Sequence, residues 1–399
     1  MLYQTLDDVD VARKNVCVRL DLNVPIQDGH ILDNTRIQKS IPTLEALIHK
    51  GAKIAIMSHL GRPKGQAQKK FSLAPVGEEL ARVLNKEVLL VRDYHAEPID
   101  QLMKQLGGNQ IVLFENLRFH PEEEQNQKDF AAQLMHGMDF YLQDGFGVVH
   151  RAHASTVACA EQLPVERRIM GPLLQSEIKA LRPMMTADIS KSPYVVAIGG
   201  AKVSDKIGVI LKLLESCNTL LIGGAMAYTF LHYKGFQVGK SKVEAEKLDL
   251  VEAVYREATK RKVEIHIPID HVCATMFSDK APVEIIDTSA IPTALMGLDI
   301  GPKTAQMYAE IISQAKSALW NGPMGVFEWD NFKKGTDTIA QAMASCPGYT
   351  VVGGGESVAA CRAAGVETAI SHISTGGGAA LEFLEGRTLP GIKALMQPT

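Results

Sequence analysis

Apolar runs of strand length alternate with longer amphipathic segments along nearly the whole chain, and this alternation limits the fold more than any other feature. The runs "NVCVRLDL", "KIAIMS", "EVLLV", "QIVLFE" and "DFYLQD" lie in the first half; "YVVAIGG", "TLLIGG", "VEIHIP", "SALWNG", "TVVGGG" and "AISHIS" lie in the second. Strands flanked by helical segments in this way predict helices packed on a mostly parallel sheet. In "RIQKSIPTLEALIHKG", for example, Ile37, Ile41, Leu44 and Ile48 fall on one helical face and Gly51 supplies the stop. A chain of 399 residues is longer than one core ordinarily serves. The expected fold is therefore α/β, with two doubly wound parallel-sheet (Rossmann-like) domains. Between the halves, "GPLLQSEIKALRPMM" places Pro172 at a first helical position, keeps Leu174, Ile178 and Leu181 on one stripe, and halts before Pro183. It is either a hinge helix joining two lobes or one more crossover helix.

A net charge of -3 with 22% charged residues offers no general attraction to nucleic acid or an anionic membrane, so any anion chemistry must come from local clusters. The six cysteines form no CxxC pair, which points to reduced core thiols rather than zinc or redox chemistry. The amino terminus carries early acids, and nowhere do about eighteen apolar residues follow one another, so the expected location is the cytoplasm.

Ligands of open parallel sheets sit beyond the carboxyl ends of the strands, so the residues just past each strand carry the functional information. The first half places Asp21 and Asn23 there, then His59 and Arg62, Asn116 and Arg118, and Asp144 followed by His150, Arg151 and His153; Arg36 opens the first crossover helix. Several guanidinium forks in one cleft repel one another unless a multiply charged anion lies between them, which implies a small molecule carrying phosphate and carboxylate. Asp21 and Asn23 either bond a substrate hydroxyl or form a turn.

In the second half the strands end in glycine: "GGAKVSDK", "GGAMAYTF", "NGPMGVFE", "GGGESVAA" and "STGGGAALEFLEG". Glycine lets backbone amides approach a phosphate closely, and a helix that begins there adds its dipole. No GxxxxGK[ST] and no GxGxxG opening the first βα unit occurs, so neither a Walker loop nor a dinucleotide fingerprint is present. Lys202 and Lys206, four apart, share one face if they lie on a helix start. Glu356 either holds the magnesium of a nucleotide or caps a helix; Glu328 either accepts from ribose hydroxyls or is solvated.

The blocks "RLDLNVP", "SHLGRPKG", "ENLRF", "HRAHAST", "GGAKVSDK", "WNGPMGVFE", "GGGES" and "STGGGAALEFLEG" resemble, in order and spacing, those of the phosphoglycerate kinase family from end to end. The resemblance implies an N-terminal phosphoglycerate-binding domain over 1–171 and an interdomain helix over 172–188. It further implies a nucleotide-binding domain over 189–379 and a segment over 380–399 that returns to the first domain. It assigns 3-phosphoglycerate or 1,3-bisphosphoglycerate to Asp21, Asn23, Arg36, His59, Arg62, Arg118 and Arg151. It assigns ADP or ATP to Gly200, Ala201, Lys202, Lys206, Gly223, Gly224, Asn321, Pro323, Val326 and Glu328, and to the loop Gly353, Gly354, Gly355, Glu356 and Ser357. The implied reaction is reversible phosphoryl transfer between 1,3-bisphosphoglycerate and ADP after hinge closure. Arg36, Lys202, Lys206 and the amides near Gly355 and Gly377 stabilise the moving group, and Mg2+ is held at Glu356. A monomer without nucleic-acid or membrane partners is implied.

Two departures stand out. Glu356 is one methylene longer than the Asp common after the triple glycine, and "LQDGFGVVHRAH" replaces the usual Asn-Asp-Ala-Phe-Gly-Thr-Ala lead into the final arginine loop; activity is expected to persist through both. The rivals are a kinase for another phosphorylated acid, a dehydrogenase, and a two-lobed protein that closes on an anion without chemistry. The substrate loops, the missing dinucleotide fingerprint and the glycine-rich second half argue against each in turn.

Overall fold

The computed structural model describes residues 3–93, 99–186, 189–287 and 291–396. The chain forms two compact units, one of residues up to Ile178 together with those from Thr388 on, the other Lys179–Arg387. The boundary falls inside the helix Pro172–Leu181.

The first unit is built on a six-stranded parallel sheet ordered Glu87–Val91, Gln110–Phe114, Lys53–Met57, Asn15–Arg19, Phe140–Gln143, Arg168–Met170. The central strand Asn15–Arg19 is buried after its first residue, as a strand covered on both faces must be. Helix Thr35–His49 packs Ile37, Ile41, Leu44 and Leu47 into this core despite Pro42 in its interior, which lies on the exposed face. The carboxylate of Asp33 accepts from the backbone N–H of Thr35 at 2.9 Å and from its hydroxyl at 2.5 Å, so a first-turn amide that lacks an intrahelical partner is satisfied. That turn carries Arg36.

The second unit has a six-stranded parallel sheet ordered Glu264–His266, Thr219–Ile222, Tyr194–Ile198, Ser317–Asn321, Tyr349–Gly353, His372–Ile373. The chain starts mid-sheet, runs to one edge, returns to the middle and runs to the other edge. The crevice at that reversal lies between the ends of Tyr194–Ile198 and Ser317–Asn321, where ligands of doubly wound sheets bind. A three-stranded antiparallel sheet of Glu284–Asp287, Asp270–Ala274 and Met296–Ile300 is added to this unit. The expected two doubly wound α/β sheets are what the chain forms.

In the first unit the C-terminal residues are tied down. Gly391 donates its N–H to the carbonyl of Val149 at 2.8 Å, and Arg168 Nη1 donates to the carbonyl of Ala394 at 2.9 Å. A Cβ on Gly391 would meet Val149 Cα at 3.0 Å, so only glycine brings this segment so close to the loop that leads to Arg151.

Candidate active site

In the first unit, four arginines converge on one histidine. Arg19, Arg118, Arg36 and Arg151 all act electrostatically on His59, which is buried; burial first and then these cations hold its imidazole well below the usual range. The ring is therefore neutral at pH 7. Arg19 Nη2 lies 3.3 Å from His59 Nδ1, and because a guanidinium only donates, Nδ1 accepts and Nε2 carries the proton. That N–H is a donor available to an anion.

The buried arginine is itself held from below. Arg19 Nε donates to Ser155 Oγ at 2.7 Å, and Arg19 also bonds the carbonyl of Leu20. Ser155 donates through Oγ to Glu123 Oε1 at 2.6 Å and through its N–H to Glu123 Oε2 at 2.9 Å. Arg19, Ser155 and Glu123 are all fully buried, and the hydroxyl joins cation to carboxylate because it can accept from one and donate to the other.

Above this chain sit the residues singled out from the sequence. Asp21 pairs with Arg36 and lies 4.0 Å from His59 Nδ1; Asn23 Oδ1 accepts from the Gly61 N–H at 2.8 Å. Arg118 Nη1 donates to the Gly61 carbonyl at 2.8 Å. Its Nε lacks an acceptor with hydrogen-bond geometry although Glu124 is 3.5 Å away. Burial, with Arg19 and Arg151 adding to it, lowers the Arg118 guanidinium to about 10. Arg151 Nε donates to His150 Nε2 at 3.1 Å. Arg62 is exposed and is not among the arginines acting on His59.

Asn116, Asp144 and His153, also at strand ends, have internal duties. Asn116 bonds the carbonyls of Leu60 and Phe71 at 2.7 and 2.9 Å. Asp144 accepts from Thr43 Oγ1 at 2.5 Å and from the Leu174 N–H at 3.0 Å. His153 is pushed down to about 3, by burial and then by Arg118 and Arg19.

In the second unit the glycine-rich ends interlock at the sheet's switch point. Gly199 donates to the Asn321 carbonyl at 2.9 Å, Gly200 to Pro323 at 3.1 Å and Gly224 to Met324 at 2.9 Å. Gly224 and Gly322 have φ of +66° and +92°, and a Cβ on either would stand 2.4 Å from Gly200 N or 2.3 Å from Gly199 O. These two glycines serve backbone-to-backbone packing. Gly355 and Gly377, by contrast, have nothing within 4 Å of a Cβ position, so their surroundings are open to a ligand.

Lys202 and Lys206 do not ride on a helix. Glu244 captures the N–H groups of Val203 and Ser204 at 2.6 and 3.2 Å and the Ser204 hydroxyl at 2.6 Å. The helix Ile207–Leu213 consequently starts only after Lys206. Lys206 Nζ donates to Asn321 Oδ1; burial lowers its ammonium, and nearby Glu356 opposes that shift. Lys202 is exposed. Ser357 Oγ accepts from the Gly322 N–H at 2.6 Å, and a Cβ on Gly354 would lie 3.0 Å from Asn321 Nδ2. The loop 353–357 is thereby tied to the loop after Ser317–Asn321.

A cleft of about 370 Å³ opens here, lined by Gly200, Ala201, Gly224, Pro323, Val326, Glu328 and Glu356. Its remaining walls, which sequence reasoning misses, include Tyr228, Phe277, Gly297 and Asp299. The Asp299 carboxylate accepts from the N–H groups of Ile300 at 2.9 Å and Gly335 at 2.7 Å, and burial pushes it up to about 8. Among the described residues no three His, Cys, Asp or Glu side chains form a metal cage. Glu356, exposed in the first turn of Gly355–Ala363 and close enough to act on Lys206, suits an ion whose other ligands are nucleotide phosphates and water.

Residues 6–387 match the model of the family described as phosphoglycerate kinase. The chain is 47% identical over 397 residues to the phosphoglycerate kinase of Moorella thermoacetica, covering all of both proteins. It is 44% identical over 395 residues to that of Borrelia duttonii, covering 99% of this chain and all of the relative. Among solved structures, phosphoglycerate kinase from Coxiella burnetii superposes with a TM-score of 0.88 at 37% identity over 99% of both chains. The enzyme from Pyrococcus horikoshii OT3 superposes with 0.84 at 33% identity over 98% of both. With the fold, the motifs and these relatives in agreement over the full length, the chain belongs to the phosphoglycerate kinase family, phosphotransferases whose acceptor is a carboxyl group.

Proposed function

We propose that the first unit holds 3-phosphoglycerate or 1,3-bisphosphoglycerate, that the second holds ADP or ATP, and that closure of the two carries the acyl phosphate to ADP. The convergence of Arg36, Arg118 and Arg151 on a neutral His59 carries this reading. It is a positive field built over a buried support, with an N–H left to donate. Asp21 and Asn23 lie beside it and suit a substrate hydroxyl; Arg62, exposed on the neighbouring loop, is the arginine that a bound phosphate would draw in.

The β-phosphate oxygen of ADP attacks the transferable phosphorus in line, the bond from phosphorus to the acyl oxygen breaks, and the electron pair leaves on the carboxylate. In the reverse direction the attacking carboxylate is already ionised, since such groups titrate at about 4, so no general base is needed. What remains is positioning and positive charge around the three equatorial oxygens. Arg36, Lys206 and Lys202 supply the charge, with amides around Gly355 and Gly377. Glu356, together with nucleotide phosphates and water, would hold Mg2+, which would supply further neutralisation there. Because donors reside in both units, 172–188 acts as the hinge, and closure excludes the water that would hydrolyse an acyl phosphate. The remaining site residues, Gly223, Gly353 and Ser357, hold the nucleotide loops in register. The protein works as a monomer in the cytoplasm; no helix among the described residues is long and apolar enough to cross a membrane.

The test is ATP consumption on addition of 3-phosphoglycerate in a coupled assay, with 2-phosphoglycolate and phosphoenolpyruvate as comparison acids. Turnover with 3-phosphoglycerate at least tenfold above either comparison, about 1.4 kcal/mol of discrimination, is expected; equal turnover with all three overturns the assignment. Glu356→Ala is expected to raise the magnesium concentration needed for half-maximal rate. A magnesium titration superimposable on the parent's places Glu356 outside the metal shell.

A further inference from the structure

The antiparallel sheet of the second unit does not close against its helices. Val283 and Ile285 are two apart at the start of the edge strand Glu284–Asp287, and Val272 is the register partner of Ile285, so the three share one sheet face. Opposite them, helix Pro302–Ser313 presents Pro302, Ala305 and Gln306, and helix Lys334–Ser345 presents Gly335 and Thr338. These are mostly small side chains, and they leave a cavity of about 470 Å³ between sheet and helices. Protein interiors ordinarily pack without such gaps, whereas roughly 300–1,000 Å³ is the size of a small-molecule pocket. Val283 and Ile285 remain 42% and 61% exposed at its edge. The cavity shares no lining residue with the nucleotide cleft: strand Met296–Ile300 gives Met296 to Asp299 to the cleft and Ile300 to the cavity.

The wall is apolar with one charge. Lys334 is the only ionisable residue lining the cavity; it is exposed, and its ammonium has no partner among the described residues. Acids on the adjoining segments are engaged elsewhere, Asp287 with Lys303 at 2.9 Å and Asp330 with Lys333 at 2.5 Å. The other polar lining groups each spend a donor inside the protein. Gln306 Nε2 donates to Glu310 Oε1 at 2.8 Å, Thr338 Oγ1 to the Lys334 carbonyl at 2.8 Å and Asn331 Nδ2 to the Asp279 carbonyl at 3.1 Å. An unpaired ammonium beside an apolar hollow suits a ligand that is apolar along its body and anionic at one end. We propose that this cavity is a second small-molecule site, separate from the nucleotide cleft, which takes an apolar body against Val272, Val283 and Ile285 and a single carboxylate or similar anion on Lys334. The inference goes beyond the catalytic reading and does not depend on it.

Fluorescence titration of the full chain with anilinonaphthalene sulfonate, an aromatic anion, and with its uncharged counterpart phenylnaphthylamine tests it. The sulfonate is expected to give a saturable rise that a saturating concentration of ADP leaves standing, and Ile285→Asp is expected to abolish it. Lys334→Met is expected to weaken the sulfonate about tenfold, as for loss of one hydrogen bond to a charged group, and to leave phenylnaphthylamine unchanged. Both residues are exposed and outside the catalytic set, so unaltered turnover and an unaltered denaturant midpoint show that each variant is folded. A signal removed by ADP, or retained in Ile285→Asp, overturns the site; a Lys334→Met variant with the parent's affinity for the sulfonate overturns its anionic end. Competition by decanoate or by naphthoate tells an aliphatic body from an aromatic one, and a probe displaced by neither overturns the ligand class.

Discussion

Arg36→Ala is expected to lower turnover by about 10²-fold or more, as removal of a single oxyanion donor does elsewhere, while the dissociation constant for ADP changes far less. The residue sits in the first turn of Thr35–His49, on a turn fixed by Asp33, and its guanidinium is paired with Asp21 while a third of its side chain stays exposed. It is therefore oriented before any ligand arrives and still reachable by one. A charge that is in place beforehand costs no reorganisation as the phosphoryl group moves, which is why such donors weigh more on rate than on binding. Turnover equal to the parent's in the coupled assay, with the nucleotide constant also unchanged, would remove Arg36 from the transition state.

The second large effect is on stability. Glu123→Ala is expected to destabilise the first unit by about 3–5 kcal/mol, the range for a buried charge left without its counterpart. The substitution leaves Ser155 without its acceptor and Arg19 buried with no carboxylate in its hydrogen-bond chain. Both tryptophans, Trp320 and Trp329, lie in the second unit. Fluorescence therefore follows that unit and far-ultraviolet circular dichroism follows both, so the denaturant midpoint should fall in the dichroism and hold in the fluorescence. Since Arg19 also bonds His59, KM for 3-phosphoglycerate should rise in the variant. Midpoints identical to the parent's by both probes would mean that the Arg19–Ser155–Glu123 chain supports nothing.

The contrast between Arg36 and Glu123 shows where the sequence is readable. Arg36 comes after a strand and opens a helix, a position that chain order alone marks as facing a ligand. Glu123 lies in "HPEEEQN", which reads as a solvated acidic run, and nothing local separates the buried Glu123 from its exposed neighbour Glu124. Only the fold, by bringing Ser155 over the short helix Pro121–Glu124, gives it a partner. Arg19 leaves a trace, a cation at the end of a strand otherwise apolar, but attention to the loops beyond strand ends passes over a residue inside the strand itself.

The parallel strands were legible because a strand buried on both faces must be apolar along its length; Tyr194–Ile198 is buried at every residue. The antiparallel Asp270–Ala274, Glu284–Asp287 and Met296–Ile300 mix charged and apolar residues in short runs, so the same criterion overlooks them. The cleft walls Gly297 and Asp299 go with them, and the wall residue Phe277 lies in the connection between the first two of these strands.

The most direct measurement is a crystal structure of the ternary complex with 3-phosphoglycerate, magnesium and a non-hydrolysable ATP analogue. If the two units share the stabilising charge, the guanidinium of Arg36 and the ammonium of Lys206 will each stand within about 3 Å of γ-phosphate oxygens. A γ-phosphate held entirely by the second unit, with the Arg36 side chain still turned to Asp21 and remote from it, would contradict that sharing.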